Sequence, residues 1–172
     1  DGSCNIFLGL EAGKGSSTAS NNTGGDNIAI GCQAAIAMTT GAQNIILGKG
    51  AAGTGVLTGG NNIFLGTSAG KSVTSGSDNI FLGNYASSNG TVTGSYNIAF
   101  GKEVGKCITS GTNNILIGRC IWGNTAITGS FNTTIGYKAG HCLTSGSYNN
   151  ILGYTAGSKN STGERNNFFG LS

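Results

Sequence analysis

Ten times along the chain, an asparagine is followed by three mostly apolar residues and then a glycine, as in NIFLG. The closing glycines are Gly9, Gly31, Gly48, Gly66, Gly83, Gly101, Gly118, Gly136, Gly153 and Gly170. After a first step of 22 residues, these glycines lie 17 or 18 residues apart. A fixed period of this kind is the sequence signature of a stacked repeat architecture. We therefore expect residues 1–172 to form one repeat array.

The second half of each repeat has landmarks of its own. Three positions after the glycine lies a small or apolar residue such as Ala69, and later come an apolar residue, a threonine and a turn, as in Val73-Thr74-Ser75-Gly76. β-Branched and aromatic residues suit strands, whereas Gly, Asn and Ser suit turns. A repeat is thus interpreted as a short strand, a corner, a second short strand that ends at the threonine, and a turn.

Strands this short cannot bury their apolar residues alone, but stacked repeats pair each strand with its equivalents above and below. The sequence therefore predicts an all-β fold, a parallel β-solenoid of alternating 17- and 18-residue repeats. Equivalent residues then form columns. We expect the Ile and Leu columns of the motif to form the core, and the motif asparagines to form a ladder of side-chain amides at one corner. These asparagines are Asn5, Asn27, Asn44, Asn62, Asn79, Asn97, Asn114, Asn132, Asn149 and Asn166.

The size of one coil stays open, because odd and even repeats differ. The residue two positions before the closing glycine is large in one set and smaller in most of the other. The large set includes Ile46, Phe81 and Leu116, and the other includes Ala29, Ala99, Thr134 and, as an exception, Phe64. Either two unlike coils alternate, or one coil of 35 residues contains both halves.

Both faces of the first strand are apolar, since Ile and Leu of NIFLG point one way and Phe the other. One face fills the coil. A row such as Ile46, Phe64, Phe81 and Leu116 on the other face would be an association surface if it were left in water. Unless a 35-residue coil covers that row internally, we expect a partner chain to do so, and we favour a homotrimer.

Two stretches of the chain resemble repeats of known fibrous proteins. NIAIG at 27–31, with a small residue three positions later, resembles the head repeat of YadA-type trimeric autotransporter adhesins, although that repeat is shorter and its asparagine lies one position further from the glycine. The longer pattern at 62–83 is similar to repeat arrays of phage tail-fibre proteins. The resemblance covers essentially the whole chain and implies a trimeric, elongated, surface-exposed shaft or adhesive head. It implies no catalytic or ligand-binding residue.

The charge pattern argues against two classes of partner. Charged residues make up 9% of the chain, against roughly 25% in ordinary soluble domains. The net charge of +3 comes from singly scattered residues, so that no basic cluster is available for a nucleic-acid backbone. Apolar runs such as Ile45-Ile46-Leu47 are far too short to cross a bilayer. We therefore expect neither nucleic-acid binding nor membrane insertion.

The sequence contains no convincing catalytic or metal-binding set. Asp26 and Asp78 share a column three repeats apart, and we interpret them as solvated corner carboxylates. His141 is the only histidine, and its neighbour Cys142 would point to the opposite face of a strand. We therefore predict no enzymatic activity, no cofactor and no metal site.

The five cysteines form an odd set, which argues against a disulfide framework. Cys107 and Cys142 occupy equivalent positions 35 residues apart. They could pair only if one coil contains 35 residues, because two rungs of a shorter coil would hold them too far apart. Free thiols are the favoured interpretation.

Aromatic residues are concentrated in the second half of the chain. Three precede a motif asparagine, two follow a motif glycine, and one stands where other repeats have Gly, Ala or Ser. They are Tyr96, Phe131, Tyr148, Tyr137, Tyr154 and Trp122. Such a strip could bind a glycan, or it could be a packing seam under a neighbouring chain.

Three functions compete at this level. The leading one is a structural or adhesive segment of an extracellular fibre, on a virus particle or a bacterial surface, attached in some cases to a host-surface glycan or receptor. An ice-binding solenoid is second, because a threonine recurs in each repeat, although a second parallel threonine column is missing. The recurring threonines are Thr39, Thr58, Thr74, Thr93, Thr109, Thr128 and Thr144. A polysaccharide depolymerase is third, since paired carboxylates are lacking.

Overall fold

The computed structural model of the chain describes residues 2–18, 21–123 and 125–171; the remaining positions of the predicted 1–172 array lie outside the description. Ten short strands form one sheet. The strands are β1 (Ile6–Leu8), β2 (Ile28–Ile30), β3 (Ile45–Leu47), β4 (Ile63–Leu65), β5 (Ile80–Leu82), β6 (Ile98–Phe100), β7 (Ile115–Arg119), β8 (Thr133–Tyr137), β9 (Asn150–Leu152) and β10 (Asn167–Phe169). In the described part of the chain, no helix is long and apolar enough to span a membrane.

Each strand pairs in parallel with the next strand of the chain, so the sheet order is the sequence order. The register is that of the motif: Phe64 lies opposite Phe81 and Leu65 opposite Leu82. This confirms the predicted parallel β-solenoid. It also settles the size of a coil, because successive repeats stack directly on one another. One coil therefore contains one repeat of 17 or 18 residues, and the 35-residue coil is ruled out.

The core consists of the middle residues of the strands, which corrects the expectation that the Ile and Leu columns would fill it. Phe64, Phe81 and Leu116 are fully buried, whereas Ile98 and Leu65 are 36% and 48% exposed. The physical reason is the two-residue period of a strand. The ladder asparagine points into the coil, and the residue two positions later must point the same way.

The second predicted strand does not form a ladder. Only isolated bridges join Val73 to Val92 and Ile108 to Ile127 among the described residues. The side chains themselves are buried as expected, and so are the small residues three positions after the glycines, such as Ala69. A single apolar residue between two turns anchors the corner of the coil but is too short to pair as a strand.

The motif glycines close the strand side of each coil. Gly101 has a φ of 131°, a conformation that side chains other than hydrogen rarely tolerate. A Cβ atom added there would collide with the carbonyl oxygen of Gly118 in the next coil. The backbones of successive coils can therefore approach each other at this corner only because both positions are glycine.

Candidate association surface

The outward side of the sheet is a flat apolar surface that we call the outer face. It consists of the first and third residues of each strand. The first-residue column is Ile6, Ile28, Ile45, Ile63, Ile80, Ile98, Ile115, Thr133, Asn150 and Asn167. The third-residue column is Leu8, Ile30, Leu47, Leu65, Leu82, Phe100, Ile117, Ile135, Leu152 and Phe169. These columns were predicted to be the core, and the alternation counted from the asparagine was the signal that could have placed them outside.

Two further columns border the outer face. The Asn-side edge is the residue directly before each ladder asparagine: Cys4, Asp26, Gln43, Asn61, Asp78, Tyr96, Asn113, Phe131, Tyr148 and Arg165. The Gly-side edge is the residue directly after each motif glycine: Leu10, Cys32, Lys49, Thr67, Asn84, Lys102, Arg119, Tyr137, Tyr154 and Leu171. The outer face and its two edges form one continuous strip along the solenoid.

The polarity of the outer face changes along the stack. From β1 to β7 the first residue of every strand is isoleucine, whereas β8, β9 and β10 begin with Thr133, Asn150 and Asn167. The Asn150 side-chain amide donates to the side-chain oxygen of Asn167 over 3.0 Å. The fully apolar part of the surface therefore ends with β7.

The area of the strip is that of a protein interface. Nine strand spacings of about 4.8 Å give it a length of about 43 Å, and seven residues from edge to edge give it a width of about 20 Å. A stable interface covers about 800 Å² on each partner. Monomeric proteins seldom leave a contiguous apolar surface of this size in water.

The ladder of asparagines holds the strip rigid from behind. In the middle of the stack, the Asn97 amide donates to the side-chain oxygen of Asn79 and to the carbonyl oxygen of Gly111, over 3.2 and 2.8 Å. Its own side-chain oxygen accepts the backbone and side-chain N–H groups of Asn114, over 3.1 and 3.0 Å. The predicted amide ladder is thus confirmed, and it lies inside the coil with its polar atoms paired.

The Asn-side edge is built on a strained backbone. Each of its residues has a positive φ, including Tyr96 at 61°, Phe131 at 58° and Tyr148 at 60°. Asn and Asp accept this left-handed conformation with the least strain, whereas bulky side chains rarely adopt it. Aromatic residues at this position indicate a requirement that backbone preference does not explain.

The predicted aromatic strip forms two ladders of stacked rings. The rings of Phe131 and Tyr148 lie 5.1 Å apart and nearly parallel, at 2°. On the other edge, the rings of Tyr137 and Tyr154 lie 5.4 Å apart at 24°. Because neighbouring rings cover each other's faces, the ladders expose mainly their edges. Sugars usually stack on exposed ring faces, so this geometry favours a packing seam over a glycan platform.

Cations and isolation complete the picture of the strip. The Arg165 guanidinium lies 5.3 Å from the Tyr148 ring centroid, and Lys138 Nζ lies 5.5 Å from that of Tyr137. Tyr96 is exposed and lies two coils before Phe131 in the same column. The structure therefore brings four of the six predicted aromatic residues together in pairs and leaves Tyr96 apart.

Trp122 is not part of this surface, which corrects its inclusion among the candidate contact residues. Its side chain is fully buried, and a Cβ added at Gly140 would lie 3.0 Å from its indole nitrogen. The backbone turns inward at this position, with a φ of 53°. Most coils have Gly, Ala or Ser here, so the indole fills space that those residues leave open.

The threonine column does not provide the free hydroxyl groups that an ice-binding face would need. Thr74 Oγ1 donates to the carbonyl oxygen of Val92 over 3.2 Å, and Thr109 Oγ1 to that of Ile127 over 3.0 Å. Thr144 Oγ1 donates to Ser161 in the same way, over 3.0 Å. These hydroxyl groups join neighbouring coils, so the geometry does not favour ice binding.

The charged residues are spread along the stack. Among the described residues, the ion pairs are Lys14 with Glu11 at 2.9 Å, Lys102 with Glu103 at 3.9 Å and Arg165 with Glu164 at 3.5 Å. Hydrogen bonds from Gln33 and Lys14 lower the pKa of the Glu11 carboxyl group. Asp26 and Asp78 lie in one column three coils apart, as predicted, and neither takes part in these pairs.

The histidine and cysteines form no metal-binding cluster in the part of the chain that the structure describes. His141 Nδ1 lies 3.3 Å from the carbonyl oxygen of Cys120. All five cysteines are free thiols, as expected once Cys107 and Cys142 lie two coils apart. Burial raises the pKa of the Cys107 thiol.

Comparison with protein-family models, with curated proteins and with solved structures gave no significant match.

Proposed function

We propose that this chain is a structural or adhesive segment of an extracellular fibre, such as a virus or phage tail fibre or a bacterial surface adhesin. In this proposal, copies of the chain associate through the outer face. The observation that carries it is the continuous row of exposed Ile and Leu side chains from β1 to β7. A surface of this kind favours burial against another chain.

The dimensions of the strip suit the homotrimer that the sequence favours. Facing sheets pack about 10 Å apart, so three sheets around one axis would each lie about 5 Å from it. A triangle with that inner radius has sides of about 17 Å, close to the ~20 Å width of the strip. Three copies would then enclose the Ile and Leu columns in a common core.

A stacked solenoid is a suitable shaft. Each coil contacts only its neighbours, so the stack is stiff along its axis and could be extended by further coils. The fully bonded asparagine ladder couples successive coils along the described stack. An extracellular location and attachment to a glycan or receptor stay predictions; they are supported by the resemblance to fibre repeats.

The direct test is the number of chains per particle, measured by sedimentation or light scattering. The unmodified chain is expected to give three. Leu65→Lys places a charge in the middle of the outer face and is expected to shift the particle toward monomers. Ser75→Lys adds the same charge at an exposed position in the second half of a coil, and it is the matched control that should leave the mass unchanged.

A stable monomer of the unmodified chain at micromolar concentration would contradict this function. The same conclusion would follow if Leu65→Lys and Ser75→Lys had equal masses at every concentration. Circular dichroism and melting curves of both variants show whether the coils remain folded.

A further inference from the structure

The two edges of the outer face carry opposite charges over the seven fully apolar coils. In this part of the Asn-side edge, the only charged residues are Asp26 and Asp78. In this part of the Gly-side edge, they are Lys49, Lys102 and Arg119. The apolar strip thus has an acidic border on one side and a basic border on the other.

These charges have few partners within their own chain. Among the described residues, neither aspartate nor Lys49 takes part in an ion pair, and Lys102 approaches Glu103 only at 3.9 Å. Asp26, Lys49 and Lys102 are exposed, and Asp78 is half-buried. The borders are therefore available to a second molecule.

We propose that copies of this chain pack in parallel, with the acidic Asn-side edge of one copy against the basic Gly-side edge of the next. This inference rests on the proposed association through the outer face and specifies its orientation. Rotation about an axis parallel to the solenoid always brings unlike edges together. An antiparallel pair, related by an axis across the strands, would instead bring acid to acid and base to base, which is repulsive.

The sequence positions also give the offset between the edges. Asp26 precedes β2 and Lys49 follows β3, while Asp78 precedes β5 and Lys102 follows β6. Both acid–base pairs therefore form when the contact advances by one coil, a step of about 4.8 Å that a lysine side chain can span. Pairing at the same coil would place Asp26 opposite Cys32, with no opposite charge.

The same one-coil offset pairs other residues that suit each other. Tyr96 before β6 meets Arg119 after β7, a cation–π combination. Cys4 before β1 meets Cys32 after β2, two thiols that are free in the single chain. These pairs follow from the same step and were not used to choose it.

Charge reversal tests the orientation. One variant combines Asp26→Lys with Asp78→Lys, a second combines Lys49→Asp with Lys102→Asp, and a third contains all four changes. Each two-site variant should weaken self-association at least tenfold at low ionic strength, because its edges carry like charges. The four-site variant should return to within about threefold of the original chain, and added salt should reduce all these differences.

Native cysteines test the offset. In the assembled chain, the thiol oxidant diamide takes two electrons and two protons from a pair of thiols, which leaves a disulfide and the hydrazine form of the oxidant. We expect disulfide-linked chains on a non-reducing gel. The linkage should disappear in Cys4→Ser and in Cys32→Ser, and it should persist in Cys142→Ser, the control.

The outcomes separate this inference from the proposed function. If the chain assembles but both two-site variants associate as tightly as the original, the parallel edge pairing is wrong and the outer-face association stands. If an assembled sample gives no Cys4–Cys32 linkage, the one-coil offset is wrong. If the unmodified chain is a monomer, the proposed function fails together with the inference.

Discussion

At the scale of single residues, a ladder asparagine joins three coils at once. Asn97 makes six hydrogen bonds, to Asn79, Ser95, Gly111 and Asn114, through its backbone N–H, its amide nitrogen and its side-chain oxygen. It is fully buried. Since water cannot reach these groups, removing the amide would leave neighbouring donors and acceptors without partners.

Asn97→Ala is therefore expected to destabilise the chain by at least about 2 kcal/mol, because a buried group left unpaired costs about 1–3 kcal/mol. Chemical denaturation followed by circular dichroism measures the effect. Asn113→Ala, at the neighbouring exposed edge, is the control and should change stability by less than about 0.5 kcal/mol. Equal effects of the two changes would contradict the structural role of the ladder.

Thr134 is a residue that the core holds at a cost. Its side chain is fully buried in β8, and its hydroxyl group has no hydrogen-bond partner among the described residues. Thr134→Val keeps the shape and removes the unpaired hydroxyl, so it should stabilise the chain by about 1 kcal/mol. Thr134→Ser keeps the hydroxyl and loses the methyl group, and it should destabilise. A destabilising Thr134→Val in thermal melting would show that the hydroxyl is paired.

At the scale of the repeat, the motif glycine sets how closely coils can stack. Gly101→Ala is expected to distort β6 and β7 and to cost several kcal/mol, since both its φ of 131° and the contact with Gly118 exclude a methyl group. Gly50→Ala is the matched control, because its added Cβ would lie 3.7 Å from the nearest atom. Unfolding curves that shift equally for both would contradict the close approach of the coils at Gly101.

At the scale of the whole molecule, neighbouring residues of one strand should control different properties. Phe81 is fully buried, and Phe81→Ala should cost about 3–5 kcal/mol of stability. Leu82 is half-buried on the outer face, so Leu82→Ala should cost about 1 kcal/mol or less in the isolated chain. Leu82→Ala should instead weaken association of the chains.

Melting temperature and particle mass, measured on the same samples, distinguish these effects. The expected pattern is a large loss of stability for Phe81→Ala and a concentration-dependent loss of mass for Leu82→Ala. The reverse pattern would return the Leu column to the core and leave the outer face without a role.

The sequence by itself determined the periodic part of this protein. Ten equally spaced Asn-to-Gly motifs specify ten strands in parallel register, because short strands can bury apolar groups only by stacking on their equivalents. They also specify the amide ladder, since identical residues in register become neighbours. The free cysteines and the shared column of Asp26 and Asp78 followed from the same spacing.

The tertiary structure alone decided what faces inward and how large one coil is. NIFLG is apolar on both faces, so hydrophobicity cannot tell Phe81 from Leu82. The turns choose between them: left-handed backbone at Asp78 and the extended positive φ of Gly83 orient the strand so that Asn79 and Phe81 enter the coil. Trp122 entered the core for a related reason, because its left-handed φ directs the indole inward. These backbone geometries arise from the closure of each coil on its neighbours, which a linear pattern does not contain.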